Sequence, residues 1–144
     1  MLHPSLLPPI GVEPLDPLLV ADIASGLAQT LPPGTAPGRV LATERYDVWL
    51  LDLPAGHTWH VRPDHRVGAA HIVDGDLVER WAHSANAAPI ARPAAERDTI
   101  SLGLGTREVA NESERTARVV YVSSPPAGRA PLAVPRIHPL RLVS

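Results

Sequence analysis

The stretch AAHIVDGDLVERW, residues 69–81, decides the fold. Ala69–Val73 reads as a strand, Asp74-Gly75 as a tight hairpin turn, and Asp76–Trp81 as the returning strand. The neighbours follow the same pattern. Upstream, Arg39–Thr43, Tyr46–Leu53 and His57–Val61 are strand candidates, with Pro54-Ala55-Gly56 as a turn between the last two. Downstream, Thr99–Leu104 and Arg118–Val122 complete the set. The Ala-, Pro- and Asn-rich stretch His83–Ala95 reads as a loop, and the acidic run Glu108–Glu114 as a solvated hairpin edge. Many short strands separated by turn residues predict a sandwich or a closed barrel.

Prolines mark the limits of that barrel. Of the 17, only Pro54, Pro63, Pro89 and Pro93 fall between Gly38 and Ser124. The rest crowd the first 37 residues and the segment 125–139, where a residue without an amide donor argues against central strands. The expected organisation is one domain: a Pro-rich arm and helix over 1–37, a barrel over 38–126, and a Pro-rich C-terminal arm over 127–144. The helix is signalled by Asp16 as cap, Pro17 at the first helical position, and Leu19, Ile23 and Leu27 at fourfold spacing. Pro32-Pro33-Gly34 stops it, and its apolar stripe is expected to lie on the sheet.

Composition excludes several function classes. A chain of 144 residues is long enough for one core without staples, and it contains no cysteine. Disulfide scaffolds, thiolate metal sites and cysteine nucleophiles are therefore ruled out. All 13 basic residues are arginines, which removes Schiff-base and P-loop lysine chemistry. These arginines are scattered, so neither a nucleic-acid nor a polybasic membrane surface is expected. No cationic leader and no span near 20 apolar residues is visible, which points to a cytoplasmic protein. Phenylalanine is absent, leaving Trp49, Trp59, Trp81, Tyr46 and Tyr121 as the large rings. Trp59 and Trp81 can line a pocket, although such rings in a Phe-free chain point first to the core or an interface.

Several fragments in order resemble the cupins, and more narrowly the bacterial cysteine-dioxygenase-like cupins. They are the helix before the first strand, Leu53-Pro54-Ala55-Gly56, Gly68-Ala69, Gly75-Asp76-Leu77-Val78-Glu79, Val109-Ala110-Asn111, and the run from Val119 to Pro126. The resemblance implies an all-β cupin, a jelly-roll double-stranded β-barrel with one N-terminal helix packed on it. In the family's register Gly56 and Gly75 match the ends of the first metal motif and Gly68 stands at its glutamate. Arg62 and Asp64 then occupy the paired histidine positions. Counting back from Asn111 places Arg107 at the third. The positions of the family's Cys–Tyr cross-link fall on Gly68 and Ser123. Arginine has no lone pair for a metal and stays protonated, so the resemblance implies the fold of a thiol dioxygenase without its metal chemistry and with no cofactor.

Strand alternation, taken with that register, gives an interior set of His60, Arg62, Asp64, Arg107, Tyr121 and Ser123. Two arginines against one aspartate leave a net positive cavity suited to a small anionic molecule, most simply a carboxylate. An aspartate held between arginines is a weak base, so His60 is the better general base and Tyr121 the acid, with Asp64 a further candidate. Arg39 is an additional binding candidate because an arginine on an early strand holds the substrate carboxylate in the resembled family. Two other readings stay open. His57, His60, His65 and His71 lie close enough in sequence to suggest a rearranged metal site for an oxygenase, though alternation sets His57 and His60 on opposite faces. Alternatively, Asp64 bridging two arginines plugs the old metal hole in a non-catalytic binding or assembly protein. A homodimer through edge strands and arms is the resembled family's common habit.

Overall fold

Two antiparallel sheets face each other across one apolar core, and a single helix covers the back of the larger sheet. The computed structural model describes residues 13–61, 66–82, 86, 88–102 and 107–129. The arms at 1–12 and 130–144 lie outside the described residues, as do Arg62, Asp64 and His65. The elements are α1 (Pro17–Thr30), β1 (Gly38–Ala42), β2 (Asp47–Leu53), β3 (Thr58–Val61), β4 (Val67–Asp74), β5 (Leu77–Trp81), β6 (Ile90–Ala94), β7 (Thr99–Leu102), β8 (Arg107–Ala110) and β9 (Ala117–Ser124). The larger sheet runs β1-β2-β9-β4-β7 and the smaller β3-β8-β5-β6.

Alternation along each strand sorts the side chains. Trp49, Leu51 and Leu53 of β2, Val119 and Tyr121 of β9, and Ala70 and Ile72 of β4 turn inward. They meet Trp59 of β3, Leu77 of β5, Ala94 of β6 and Val109 of β8 from the opposite sheet. The intervening residues Val48, Leu50, Ala69, Val120 and Val122 face the other way and pack under Val20 and Ala24 of α1. The larger sheet is thus buried on both faces, which explains why β2 and β9 read as nearly continuous apolar runs.

Asp16 caps α1 by accepting from the Leu18 amide at 2.8 Å, and Pro17 occupies the first turn. The buried stripe is Val20 and Ala24, flanked by Ile23 and Leu27, while Leu19 points to solvent. The expected stripe beginning at Leu19 is therefore displaced by one residue. Ser124 holds the entry to the helix, accepting from the Leu15 amide at 2.9 Å and donating to the Arg45 carbonyl at 2.6 Å.

Two strand readings are corrected. Ile90–Ala94, expected within a loop, forms β6 at the edge of the smaller sheet; its pattern is broken by Pro93, which an edge strand tolerates. The run from Glu108, expected as a solvated edge, begins inside β8, which lies between β3 and β5. Val109, Ala110 and Asn111 are buried there. The charges misled the reading because only alternate side chains need to reach water.

The lower end of the barrel is closed by Asn111. Its amide donates to the carbonyls of Leu53 at 2.9 Å and Arg115 at 2.6 Å, and its carbonyl accepts from the Ser113 amide at 3.0 Å. At the same end Gly75 has a positive φ of 106°, and a Cβ there would lie 2.8 Å from that of Ala117. Gly75→Ala is therefore expected to lower the unfolding free energy by roughly 3 kcal/mol, strain and overpacking acting together. A urea titration that finds no change would show that the turn accepts a side chain.

Candidate functional site

Register fixes two inward-facing layers near the upper end of the barrel, where β3 leaves toward β4 and β7 toward β8. The upper layer contains Asp47, Ser123, Gly68 and Leu102 across the larger sheet, and Val61, Arg107, Trp81 and Ile90 across the smaller. The layer beneath contains Arg39, Trp49, Tyr121, Ala70 and Ile100 against Trp59, Val109, Glu79 and Arg92.

Glu79 is the centre of this region. Its side chain is 0% exposed, and each carboxylate oxygen binds a different guanidinium. Oε1 accepts from Arg107 Nη1, and Oε2 accepts from Arg92 Nη2 at 3.0 Å. Both guanidiniums also lie against the Trp81 indole, with their central carbons 5.6 Å (Arg92) and 5.5 Å (Arg107) from its ring centre. The two cations differ in solvent access: the Arg107 side chain is 22% exposed and that of Arg92 59%. The trio carries a formal charge of +1. The Nε–H of Arg107 is buried and has no acceptor among the described residues.

Glu79 was missed in the sequence, although a signal for it existed. After the Asp74-Gly75 turn, Leu77, Glu79 and Trp81 share one parity, so a carboxylate sits between two inward apolar residues. The carboxylate expected between arginines was Asp64, which lies outside the described residues together with Arg62.

The other expected site residues are dispersed. Arg107 points inward from β8. Tyr121 is buried, and its ring meets Trp59 edge-on at 5.1 Å between centroids, bridging the sheets. Ser123 is fully buried and donates to the Pro125 carbonyl at 2.9 Å. Gly68 and Ser123 are direct register partners, and a Cβ on Gly68 would stand 3.1 Å from Tyr121 Cε1. The tyrosine ring therefore fills space that a side chain at 68 would contest. Arg39 lies over the Trp49 ring at 5.8 Å.

His60 corrects an expectation. On β3 the inward residues are Trp59 and Val61, so His60 faces outward, 66% exposed, with Nδ1 3.5 Å from Glu108 Oε1. Its predicted role as interior base does not survive that placement. The histidine metal set fails on similar grounds among the described residues. His57 is exposed in the turn before β3 and His60 on β3 itself, whereas His71 is on the helix-side face of the larger sheet. His65 lies outside the described residues, and no group of three potential ligands gathers among the described ones.

A cleft of about 250 Å³ opens between β6 and β7, lined by Arg92, Pro93, Ala94, Asp98, Thr99 and Ile100. It leads to the exposed side of Arg92. Nearby, His71 is buried with Nδ1 2.8 Å from Thr99 Oγ1. Burial pushes its pKa below the ordinary value, against the opposing pull of Asp98.

No protein-family profile matches the chain, and no curated protein matches it. Solved structures do. Protein BH2720 from Bacillus halodurans superposes with a TM-score of 0.58 at 14% identity, covering 71% of this chain and 77% of that one. The cupin domain of Schizosaccharomyces pombe Cnp3 gives 0.54 at 12% identity, covering 64% and 69%. A cupin domain of an XRE-family transcriptional regulator from Enterobacter cloacae gives 0.51 at 13%, covering 61% and 93%. The protein has the cupin fold, an all-β jelly roll with one N-terminal helix. Among the described residues, no helix is long and apolar enough to cross a membrane.

Two outcomes follow from this geometry. Glu79→Ala leaves both guanidiniums without their shared anion, but Arg92 and Arg107 keep solvent contact, so the expected cost is about 1–3 kcal/mol of stability, read by chemical denaturation. The lowered His71 pKa favours the neutral ring in the folded state. Its contribution is full above the unfolded pKa of about 6.5 and declines as pH falls toward the folded value. Unfolding free energies at pH 7.5 and 5.5 should therefore differ less in His71→Gln than in the parent protein.

Proposed function

We propose that the upper barrel is the small-molecule site of a metal-independent enzyme. It binds an anion, most simply a carboxylate, and converts it by acid/base, non-redox chemistry such as isomerisation, cyclisation or elimination. The observation that carries this reading is the Arg107–Glu79–Arg92 cluster. A buried carboxylate binds two guanidiniums, and the trio carries a formal charge of +1. Burying the Glu79 carboxylate is costly, and an apolar residue would fill the same space at lower cost. The excess charge is better explained by an anion that completes the cluster through charge-assisted hydrogen bonds.

Within this reading Arg107 and Arg92 bind the anion and Glu79 positions them. Tyr121, one layer below, supplies the proton-donating phenol. Glu79 is given no proton-transfer role, because both its oxygens are engaged by guanidiniums. The resemblance to cysteine-dioxygenase-like cupins supports the metal-independent part of the proposal. Arg107 stands at one of that family's metal positions, and a guanidinium offers no lone pair.

A second reading, a non-catalytic barrel closed by the ion cluster, is favoured by one observation. The cleft beside Arg92 holds about 250 Å³, below the roughly 300 Å³ at which small-molecule sites begin. Thermal unfolding with a panel of short carboxylates separates the two. The enzyme reading expects the melting temperature to rise with carboxylate concentration, by mass action on the folded state. Arg107→Ala should abolish that rise while keeping the β-sheet circular dichroism. If no carboxylate raises the melting temperature and Arg107→Ala merely lowers it, the plug is correct.

A further inference from the structure

The cleft between β6 and β7 is lined by opposite charges that do not meet. Arg92 lines it from β6, and Asp98 from the turn that leads into β7. Among the ion pairs of the described residues, Arg92 joins Glu79 alone and Asp98 joins none. The bond to Glu79 engages Nη2, only one nitrogen of a guanidinium with five N–H donors, and the Arg92 side chain is 59% exposed. Asp98 Oδ2 accepts from the Ala95 amide at 2.8 Å, and Oδ1 has no hydrogen bond among the described residues. The neighbouring His71, bound to Thr99, does not neutralise Asp98. Burial holds its pKa below the ordinary value, so the ring is uncharged at neutral pH. Pro93, Ala94 and Ile100 give the same cleft an apolar wall.

We propose that this cleft binds a short ω-amino carboxylate, a chain such as β-alanine or γ-aminobutyrate with opposite charges at its two ends. The carboxylate pairs with Arg92, the ammonium donates to Asp98 Oδ1, and the methylenes lie on the apolar wall. This inference rests on the anion-binding reading above. It seats the anion on the cleft side of the ion cluster and gives the ligand a cationic end. Charge makes the choice. Asp98 offsets the formal charge of +1 on the Arg107–Glu79–Arg92 trio, so a ligand neutral overall but charged at each end matches the site. A simple carboxylate satisfies Arg92 and leaves Asp98 facing a like charge. An α-amino acid holds its ammonium beside its carboxylate, against the Arg92 guanidinium, where like charges repel. An amine at the chain end reaches the opposite charge instead. Size agrees: about 250 Å³ is less than the roughly 300 Å³ at which drug-sized sites begin, and suits a ligand of few atoms.

The test compares chain-matched probes, β-alanine, L-alanine and propionate, by isothermal titration at neutral pH. The parent protein should bind β-alanine at least tenfold more tightly than either of the others, the scale of one charge-assisted hydrogen bond. Asp98→Asn keeps an acceptor for the Ala95 amide and removes the negative charge. It should erase that preference and bind propionate at least as tightly as the parent does. A preference for β-alanine that survives in Asp98→Asn overturns the role of Asp98. Equal binding of β-alanine and propionate, or of β-alanine and L-alanine, to the parent also overturns the proposal but leaves the anion site standing. Binding of none of the three overturns the anion site itself. Should Asp98→Asn fail to fold, the amide signal of Ala95 in the parent protein decides. Saturating β-alanine should shift it more than saturating propionate does; equal shifts, or none, refute the proposal.

Discussion

The upper half of this barrel depends on one buried carboxylate. Ionised, Glu79 loses its hydration on entering the space between the sheets, a cost of several kcal/mol. A single guanidinium at contact distance returns about 4 kcal/mol at an effective dielectric constant near 20, which at best balances that cost. A second guanidinium binds the other oxygen, and the Trp81 face lies beside both cations. Arg92, Arg107 and Trp81 come from three different strands of the smaller sheet. The carboxylate therefore fixes side-chain geometry across that sheet, whatever its net effect on stability.

The same sheet register divides the barrel by polarity. Below the Trp59–Tyr121 contact the inward residues are Leu51, Leu53, Ile72, Leu77, Ala94, Ala117 and Val119, with no charge among them. Asn111 seals that end by satisfying loop carbonyls that would otherwise be buried without donors. At and above the level of that contact, charged and hydroxyl groups gather. An apolar half that supplies stability lets the other half hold three ions at close quarters, the usual division between scaffold and site.

Much of the architecture was legible because it depends on period and punctuation. The 69–81 hairpin, the Asp16-Pro17 helix start and the Pro-poor middle all follow from local rules that tertiary contacts did not override. The inward direction of Tyr121 and Arg107 followed from the register that the cupin resemblance implies, counted back from Asn111 and along the β9 run. The failures have a common cause. His60 was placed by alternation with Arg62 and Asp64, but the inward face of β3 is set by Trp59, whose burial outweighs any polar neighbour. β6 and β8 were obscured because edge exposure and charge mask a two-residue period when a strand has only four or five residues. Glu79 was hidden by its chemistry: a lone glutamate between apolar residues looks like a surface position until its cationic partners, 13 and 28 residues away, are brought beside it.

Gly68 links the scaffold to the chemistry. Its missing side chain lets the Tyr121 ring lie 3.1 Å from where a Cβ would stand, edge-on to Trp59. That pair bridges the two sheets in the layer that also holds Glu79 and Arg92. Aromatic rings beside the cluster lower the local dielectric response, so its charges interact more strongly than they would in water. Filling position 68 would displace the Tyr121 ring and disturb that layer without touching any of its charges. The smallest residue in the upper layer thus has leverage over the electrostatics of the arginines facing it.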